Sequence, residues 1–226
     1  MIRTLTLSLL GLLLSVTAFA DDGNRHYEVT ITNITQAQIF APVAVATHKS
    51  HFSVFTPGEE ALPELATLAE SGNPGPLLGL LDGMPGYVLD TNHSGGMLFP
   101  GDSVTVMITG NNHYDRLSFA GMLVSSNDAF AGLNSMELPK HMSTTMVPAY
   151  DAGSELNDED CANIPGPPCG DMDDSGDAGE GYVYIGNGIS GTVDVDSLAY
   201  DWNNPVARVV VRPTARVTSA RRSMCR

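Results

Sequence analysis

Acidic side chains beside glycines, at two points of the 226-residue chain, are the residues best suited to chemistry. Asp128 lies within Ser125–Gly132, and Asp151 and Glu155 lie within Ala149–Glu155. Each group follows a segment with the residue pattern of a β-strand, which predicts a loop at a strand end. Hard cations such as Ca²⁺ take several oxygen ligands from carboxylates and carbonyls of adjacent loops. The pattern therefore predicts a calcium site with Asp128, Asp151 and Glu155 as ligands.

Two other interpretations of the same acids stay open. They could be solvated residues of separate surface turns in a metal-free structural sandwich, because Asp-Ala-Gly-Ser-Glu alone is not a specific motif. Alternatively, Asp151 or Glu155 could act as acid or base in a carbohydrate- or lipid-active hydrolase. The chain has no G-x-S-x-G, H-E-x-x-H or Cys-His-Asn pattern, and only one tryptophan. We therefore expect a binding module and not an enzyme.

Three further motifs give weaker signals. Asp171–Gly176 matches the first half of an EF-hand loop, but the final position, where a glutamate is required, is Tyr182. Gly186–Gly191 fits G-x-G-x-x-G, yet the residues after it alternate like a strand, so we expect a glycine-rich turn. His48 and His51 have a metal-compatible spacing without a third ligand, and we expect them at the surface or in packing contacts.

The formal net charge of −15 restricts the class of partner. Phosphate backbones are bound by clustered Lys and Arg, so nucleic acid is excluded from the expected partners. An excess of acids fits cation binding and plain solubility equally well. The expected partner is an unidentified surface, glycan or protein ligand, and the expected role is adhesion or the binding of a surface or matrix ligand.

Residues 1–20 have the pattern of a signal peptide. Arg3 precedes an apolar run over Leu5–Val16, and Ala18-Phe19-Ala20 forms an A-x-A cleavage site before Asp21. The run is shorter than the roughly 20 residues of a membrane span, and an uncleaved anchor is the alternative. No later segment is apolar enough to cross a bilayer. We therefore expect a secreted or periplasmic protein with no transmembrane segment in its mature chain.

Cysteine usage agrees with an oxidising compartment. Cys161 and Cys169 enclose Ala-Asn-Ile-Pro-Gly-Pro-Pro, a loop with little apolar surface to bury, and we predict a disulfide between them. Cys225 is left as an odd cysteine, either free or in an intermolecular bridge. Zinc is not expected, because the chain has no C-x-x-C pair.

The remaining pattern predicts an all-β chain with short helical insertions and long polar loops. Strands are predicted at residues 26–35, 38–47, 86–89, 102–109, 116–124, 182–185 and 206–211. Helical spacing predicts short helices over 59–71 and 76–81, and Gly110-Asn111-Asn112 predicts a hairpin turn. Residues 151–181 contain few apolar side chains and many Asp, Gly and Pro residues, and this composition predicts a long polar loop. The expected architecture is an antiparallel β-sandwich over residues 21–212, followed by a disordered basic tail over 213–226.

Five segments occur in an order that is informative as a whole. Ala44–His48 and Leu68–Gly72 precede Ser125–Gly132, and Tyr150–Glu155 and Trp202–Val209 follow it. Together they resemble the spondin-domain family, which occurs in F-spondin-type extracellular matrix proteins and in many bacterial secreted proteins. Ser125–Gly132 is similar to the family's Ser-Pro-Asp-Trp-Phe-x-Gly signature. Tyr150–Glu155 stands where the family has Trp-Asp-Ala-Gly-Thr-Asp or Glu, and Trp202–Val209 resembles its closing strand.

The resemblance extends over about residues 27–212 and implies a β-sandwich related to calcium-dependent lipid-binding modules. It also implies one calcium at the sandwich edge, with Asp128, Asp151 and Glu155 as its ligands. Asn127 and Ala129 replace the Pro and Trp of the signature, and Glu155 replaces the Asp of the animal proteins. The sequence contains no thrombospondin-type or reeler-type domain, so the matrix and axon-guidance roles of the animal proteins are not carried over.

Overall fold

The computed structural model describes residues 23–170 and 178–214, which contain ten strands and three short helices. The strands are β1 (Arg25–Asn33), β2 (Ala44–His48), β3 (Val88–His93), β4 (Ser103–Gly110), β5 (Arg116–Met122), β6 (Ala129–Glu137), β7 (Ser143–Val147), β8 (Ala149–Asp151), β9 (Tyr184–Ile185) and β10 (Ala207–Pro213). The helices are α1 (Pro63–Ser71), α2 (Gly75–Asp82) and α3 (Ser197–Tyr200).

The strands form two antiparallel sheets, which confirms the predicted all-β sandwich. One sheet has four strands in the order β4-β1-β10-β7, and the other has six in the order β3-β2-β5-β6-β8-β9. The main core lies between them and includes Val29 of β1, Val209 of β10 and Phe119 of β5. Each such side chain contributes about 1.5–3 kcal/mol when it is removed from water.

The four-stranded sheet shows the alternation expected of a sheet with one face in water. In β1, Tyr27, Val29 and Ile31 are buried, and the residues between them are partly exposed. Strand β10 repeats the pattern with Val209 and Val211. This periodicity of two is the local signal that made both strands predictable.

The six-stranded sheet is covered on both faces. Val45 of β2 packs into the core between the sheets, whereas Ala44 and Ala46 belong to a second cluster that includes Leu65 of α1 and Leu77 of α2. The helices therefore form a third layer outside this sheet. Because neither face meets water, all five residues of β2 are buried and its sequence does not alternate in polarity.

Several sequence expectations need correction. Gly110-Asn111-Asn112 does not form a hairpin, because β4 pairs with β1 in one sheet and β5 pairs with β2 and β6 in the other. The turn instead carries the chain between the sheets. Strands β6 and β8 were not predicted, because Ala, Gly, Ser and Met give weak strand signals, and β7 was indicated only as a strand-like segment of unstated bounds before Ala149. Within the strand predicted at 38–47, Phe40 forms two isolated bridges, to Leu98 and to Leu123, and the continuous strand β2 starts only at Ala44.

The segment between β8 and β9 is long and irregular, as predicted. Its described residues, 152–170 and 178–183, contain no helix or strand, and the predicted Cys161–Cys169 disulfide closes a loop within it. In the described part of the chain, no helix has the length and apolar character needed to cross a membrane. The predicted signal peptide lies outside the described residues, as do residues 215–226 of the predicted basic tail, with Cys225.

Candidate metal centre

Strands β6 and β8 bring Asp128 and Asp151 to the same end of the six-stranded sheet. Asp128 directly precedes β6, and Asp151 is the last residue of β8. The strands pair with Ala129 opposite Asp151, and the Ala152 N–H donates a hydrogen bond to the Asp128 carbonyl at 3.2 Å. Antiparallel pairing thus makes two acids neighbours although they are far apart in sequence.

The two oxygens of the Asp128 carboxylate have different surroundings. Oδ2 accepts hydrogen bonds from the Ser154 N–H (2.8 Å), the Ser154 hydroxyl (3.2 Å) and the Glu155 N–H (3.1 Å). Oδ1 is buried and has no hydrogen-bond partner among the described residues. Consecutive N–H groups around one oxygen favour the ionised carboxylate, whereas a bare buried oxygen penalises it. Oδ1 is therefore the atom at which a cation would satisfy Asp128.

The Asp151 carboxylate is oriented through both of its oxygens. Oδ1 accepts a hydrogen bond from the Gly153 N–H (2.8 Å), and Oδ2 accepts one from the Asn157 side-chain amide (2.7 Å). The same amide donates to the Tyr184 hydroxyl oxygen at 2.9 Å. Asp151 is only 3 % exposed, yet it lines a cleft of about 280 Å³. The loop thereby holds this carboxylate at the wall of a solvent-connected space.

Burial raises the pKa of both carboxyl groups. The pKa of Asp128 rises from 3.8 to about 7, first through burial and then through the negative charge of Asp151. Burial also raises the pKa of Asp151, with a smaller contribution from the charge of Glu180, against the hydrogen bonds from Asn157 and Gly153. Two neighbouring acids that resist joint ionisation are stabilised in their ionised forms by a shared cation.

Glu155, the third predicted ligand, is 2 % exposed, and its backbone N–H contacts Asp128. Within the described residues, no three His, Cys, Asp or Glu side chains form a group that could hold a metal ion. The structure therefore brings Asp128 and Asp151 together, and coordination by the Glu155 carboxylate stays a prediction.

Gly153 permits the tight turn after β8. Its φ of +66° lies in the left-handed region that glycine adopts without steric cost. A Cβ at this position would lie 2.8 Å from the Tyr182 backbone nitrogen. The Gly153 carbonyl also accepts a hydrogen bond from the Gly181 N–H at 2.8 Å. Within Asp-Ala-Gly-Ser-Glu, glycine is therefore the residue with a strict steric requirement.

Four residues that surround the acid pair were not predicted from the sequence: Ser154, Asn157, Glu180 and Tyr184. Asn157 lies in the same loop as Glu155, so its amide could have been noticed as a polar neighbour of the motif. Glu180 and Tyr184 belong to the far end of the long segment and to β9. No local pattern connects them to Asp151, because only the pairing of β8 with β9 brings them close.

The glycine-rich segment Gly186–Gly191 binds a carboxylate of the protein itself. The backbone N–H groups of Ser190, Gly191 and Thr192 all donate hydrogen bonds to Glu159. Such a group of N–H donors is an anion site, and here a side chain fills it. No helix begins at Gly191, since α3 starts only at Ser197. The segment is an irregular glycine-rich loop that opens no helix, and the strand-like residues 192–196 after it form no strand.

The other weak motifs add nothing to the acid pair. Asp171–Gly176 lies outside the described residues. His48 is fully buried: its Nδ1 donates to the Lys49 carbonyl (2.9 Å), and its Nε2 accepts from the Ser118 hydroxyl (2.7 Å). His51 is exposed. The two histidines therefore have the packing and surface positions that were expected.

Comparison with known proteins finds no family model that matches the chain and no significant match to a curated protein. The resemblance to the spondin-domain family therefore stays a prediction that rests on the ordered sequence segments alone.

Proposed function

We propose that the protein is an exported, non-enzymatic, calcium-binding spondin-like module that binds a surface, glycan or protein ligand. The environment of Asp128 carries the proposal. Three hydrogen-bond donors surround Oδ2, as expected for an ionised carboxylate. The other oxygen, Oδ1, is buried and has no hydrogen-bond partner among the described residues. A cation at Oδ1 would resolve this asymmetry and reduce the repulsion between the acids.

The chemistry of the available ligands favours calcium over other metals. The groups at this end of the sheet are carboxylates, backbone carbonyls and amide oxygens, which are the ligands of hard cations. Calcium accepts six to eight oxygens in flexible geometry, so water from the cleft could complete its coordination. Magnesium requires a nearly ideal octahedron, which a pair of oriented carboxylates does not by itself provide.

Two further features support the wider proposal. The implied ligands of the spondin resemblance include both acids that β6 and β8 bring together. The signal-peptide pattern and the Cys161–Cys169 disulfide agree with export to an oxidising compartment.

The test is thermal unfolding of the mature protein in EDTA and in millimolar calcium. At a calcium concentration about 100 times Kd, stabilisation is about 2.7 kcal/mol. For a chain of this length, that corresponds to a rise in Tm of about 5–10 °C. Asp128→Asn should abolish the rise, because it removes the charge at the bare oxygen while keeping the shape of the side chain.

Asp102→Asn, at an exposed aspartate between β3 and β4, is the matched control and should keep the full rise. Asp151→Asn serves as a second variant if Asp128→Asn fails to fold. An unchanged Tm of the wild type in calcium would refute the proposal. An equal rise in all variants would also refute it, since the ion would then bind elsewhere.

A further inference from the structure

The cleft beside Asp151 has an acidic lining. Asp151 and Glu180 both line it and interact electrostatically, and none of the residues that line it is Lys or Arg. Its volume of about 280 Å³ is larger than a bare metal ion needs and admits part of a side chain. Opposite charge within about 4–6 Å stabilises ionised carboxylates, so the cleft favours a cationic group.

Trp202 gives a second and independent indication of a ligand. It lines the cleft, it is 7 % exposed, and its Nε1 is buried without a hydrogen-bond partner among the described residues. A Cβ at Gly186, another lining residue, would lie 3.4 Å from Cζ2, a ring atom two bonds from Nε1, so this side of the indole lies against the cleft lining. A buried donor without an acceptor costs about 1–3 kcal/mol. The fitting ligand therefore carries an acceptor near its positive charge.

We propose that this cleft binds an arginine of the chain's own segment 215–226. The guanidinium would pair with Asp151 and Glu180, and a peptide carbonyl beside it would accept the hydrogen bond of Trp202. Guanidinium groups pair with carboxylates through two hydrogen bonds and stack on aromatic rings such as that of Tyr184.

Charge complementarity selects this segment as the occupant. Residues 215–226 lie outside the described residues, but their sequence contains four arginines and no acid in a chain of net charge −15. The arginines are Arg216, Arg221, Arg222 and Arg226. Together they are the densest group of positive charge in the sequence.

The path of β10 determines which arginines can reach the cleft. The strand starts at Ala207, shortly after Trp202, and leads away from the cleft to Pro213. At about 3.4 Å per residue it covers roughly 20–24 Å. An extended chain returning from Thr214 needs about seven residues for that distance. Within one molecule, the returning chain is therefore long enough for Arg221, Arg222 and Arg226 to reach the cleft, but not for Arg216. This length requirement does not apply to the segment of a second copy.

The indole N–H resonance tests the proposal on the full mature chain, because Trp202 is the only tryptophan. In EDTA, the triple substitution Arg221→Gln, Arg222→Gln and Arg226→Gln should shift this nitrogen–proton resonance. Arg216→Gln, in the same segment, should leave it in place. The shift of the triple variant should disappear in a Glu180→Gln background, because the partner charge is then absent.

Glu137→Gln is the matched background for Glu180→Gln. Glu137 is also exposed, but it lies away from the cleft. It is the last residue of the nine-residue strand β6, whose first residue, Ala129, lines the cleft. In this background the shift of the triple variant should persist. The shift should not depend on protein concentration, because the reach argument places the segment in the cleft of its own molecule. A shift that grows with protein concentration would place the segment of a second copy there and would overturn the proposal.

Three further results would overturn it: no shift in the triple variant, the same shift in the Glu180→Gln background, or an equal shift from Arg216→Gln. The last would indicate a general effect of charge. Because the measurement is made in EDTA, the inference goes beyond the calcium proposal and does not depend on its success.

Discussion

Removal of the charge of Asp128 should change how stability depends on pH. In the folded protein without calcium, burial and the charge of Asp151 raise the pKa of Asp128 from 3.8 to about 7. Between these two values the folded protein keeps a proton that the unfolded chain has released. Stability therefore falls as the pH rises through this window, and the contribution of the protonated carboxyl is lost above about pH 7.

The size of the effect follows from the difference between the two pKa values. That difference, from 3.8 to about 7, corresponds to about 4 kcal/mol in total. Between about pH 5 and about pH 8, linkage gives a loss of about 2–3 kcal/mol from this group. In Asp128→Asn the group cannot titrate, so this component of the pH dependence should vanish. Saturating calcium should remove it from the wild type as well, because the ion stabilises the ionised form.

The assay is urea unfolding of the mature protein in EDTA at both pH values, for the wild type, Asp128→Asn and the exposed control Asp102→Asn. The quantity of interest is the difference between the two free energies of unfolding for each protein. We expect a difference about 2–3 kcal/mol smaller in Asp128→Asn than in the other two proteins. Equal differences in all three would show that Asp128 ionises as it does in the unfolded chain, and the burial argument would be wrong.

Two further substitutions test the loop that holds the acids. Gly153→Ala forces a side chain into the left-handed region and a Cβ to 2.8 Å from the Tyr182 nitrogen. We expect it to cost about 2–4 kcal/mol, of which the backbone conformation accounts for about 1–2; a loss below 1 kcal/mol in urea unfolding would contradict the close approach. Cys161→Ser opens the loop that ends at Cys169 and should cost about 2–3 kcal/mol by chain entropy. The wild type treated with reductant should unfold like Cys161→Ser, and a variant as stable as the oxidised wild type would exclude a stabilising role for the disulfide.

The sequence predicted those residues of the acid pair's surroundings that lie in recognisable local motifs, and it did not predict those that come from distant segments. Asp128 and Asp151 were predicted to converge, because acids in loops after strand-like segments can share a hard cation. The pairing of β6 with β8, which brings them together, was not predicted. Tyr184 and Glu180 were not predicted, since they come from the far side of a long irregular segment. The hairpin prediction at Gly110-Asn111-Asn112 failed because a turn sequence specifies a local reversal and not the sheet that the next strand joins.

The sequence by itself determined the features that arise from local chemistry. Alternation of apolar and polar residues in β1 and β10 predicts strands with one solvent-exposed face. The two cysteines that enclose a short loop predict the disulfide between them. The tertiary structure alone decided which strands share a sheet and that α1 and α2 cover the second face of the six-stranded sheet. It also decided the surroundings of Asp128, because the Ser154 and Glu155 backbone groups that contact it belong to another segment of the chain, which the pairing of β6 with β8 brings close.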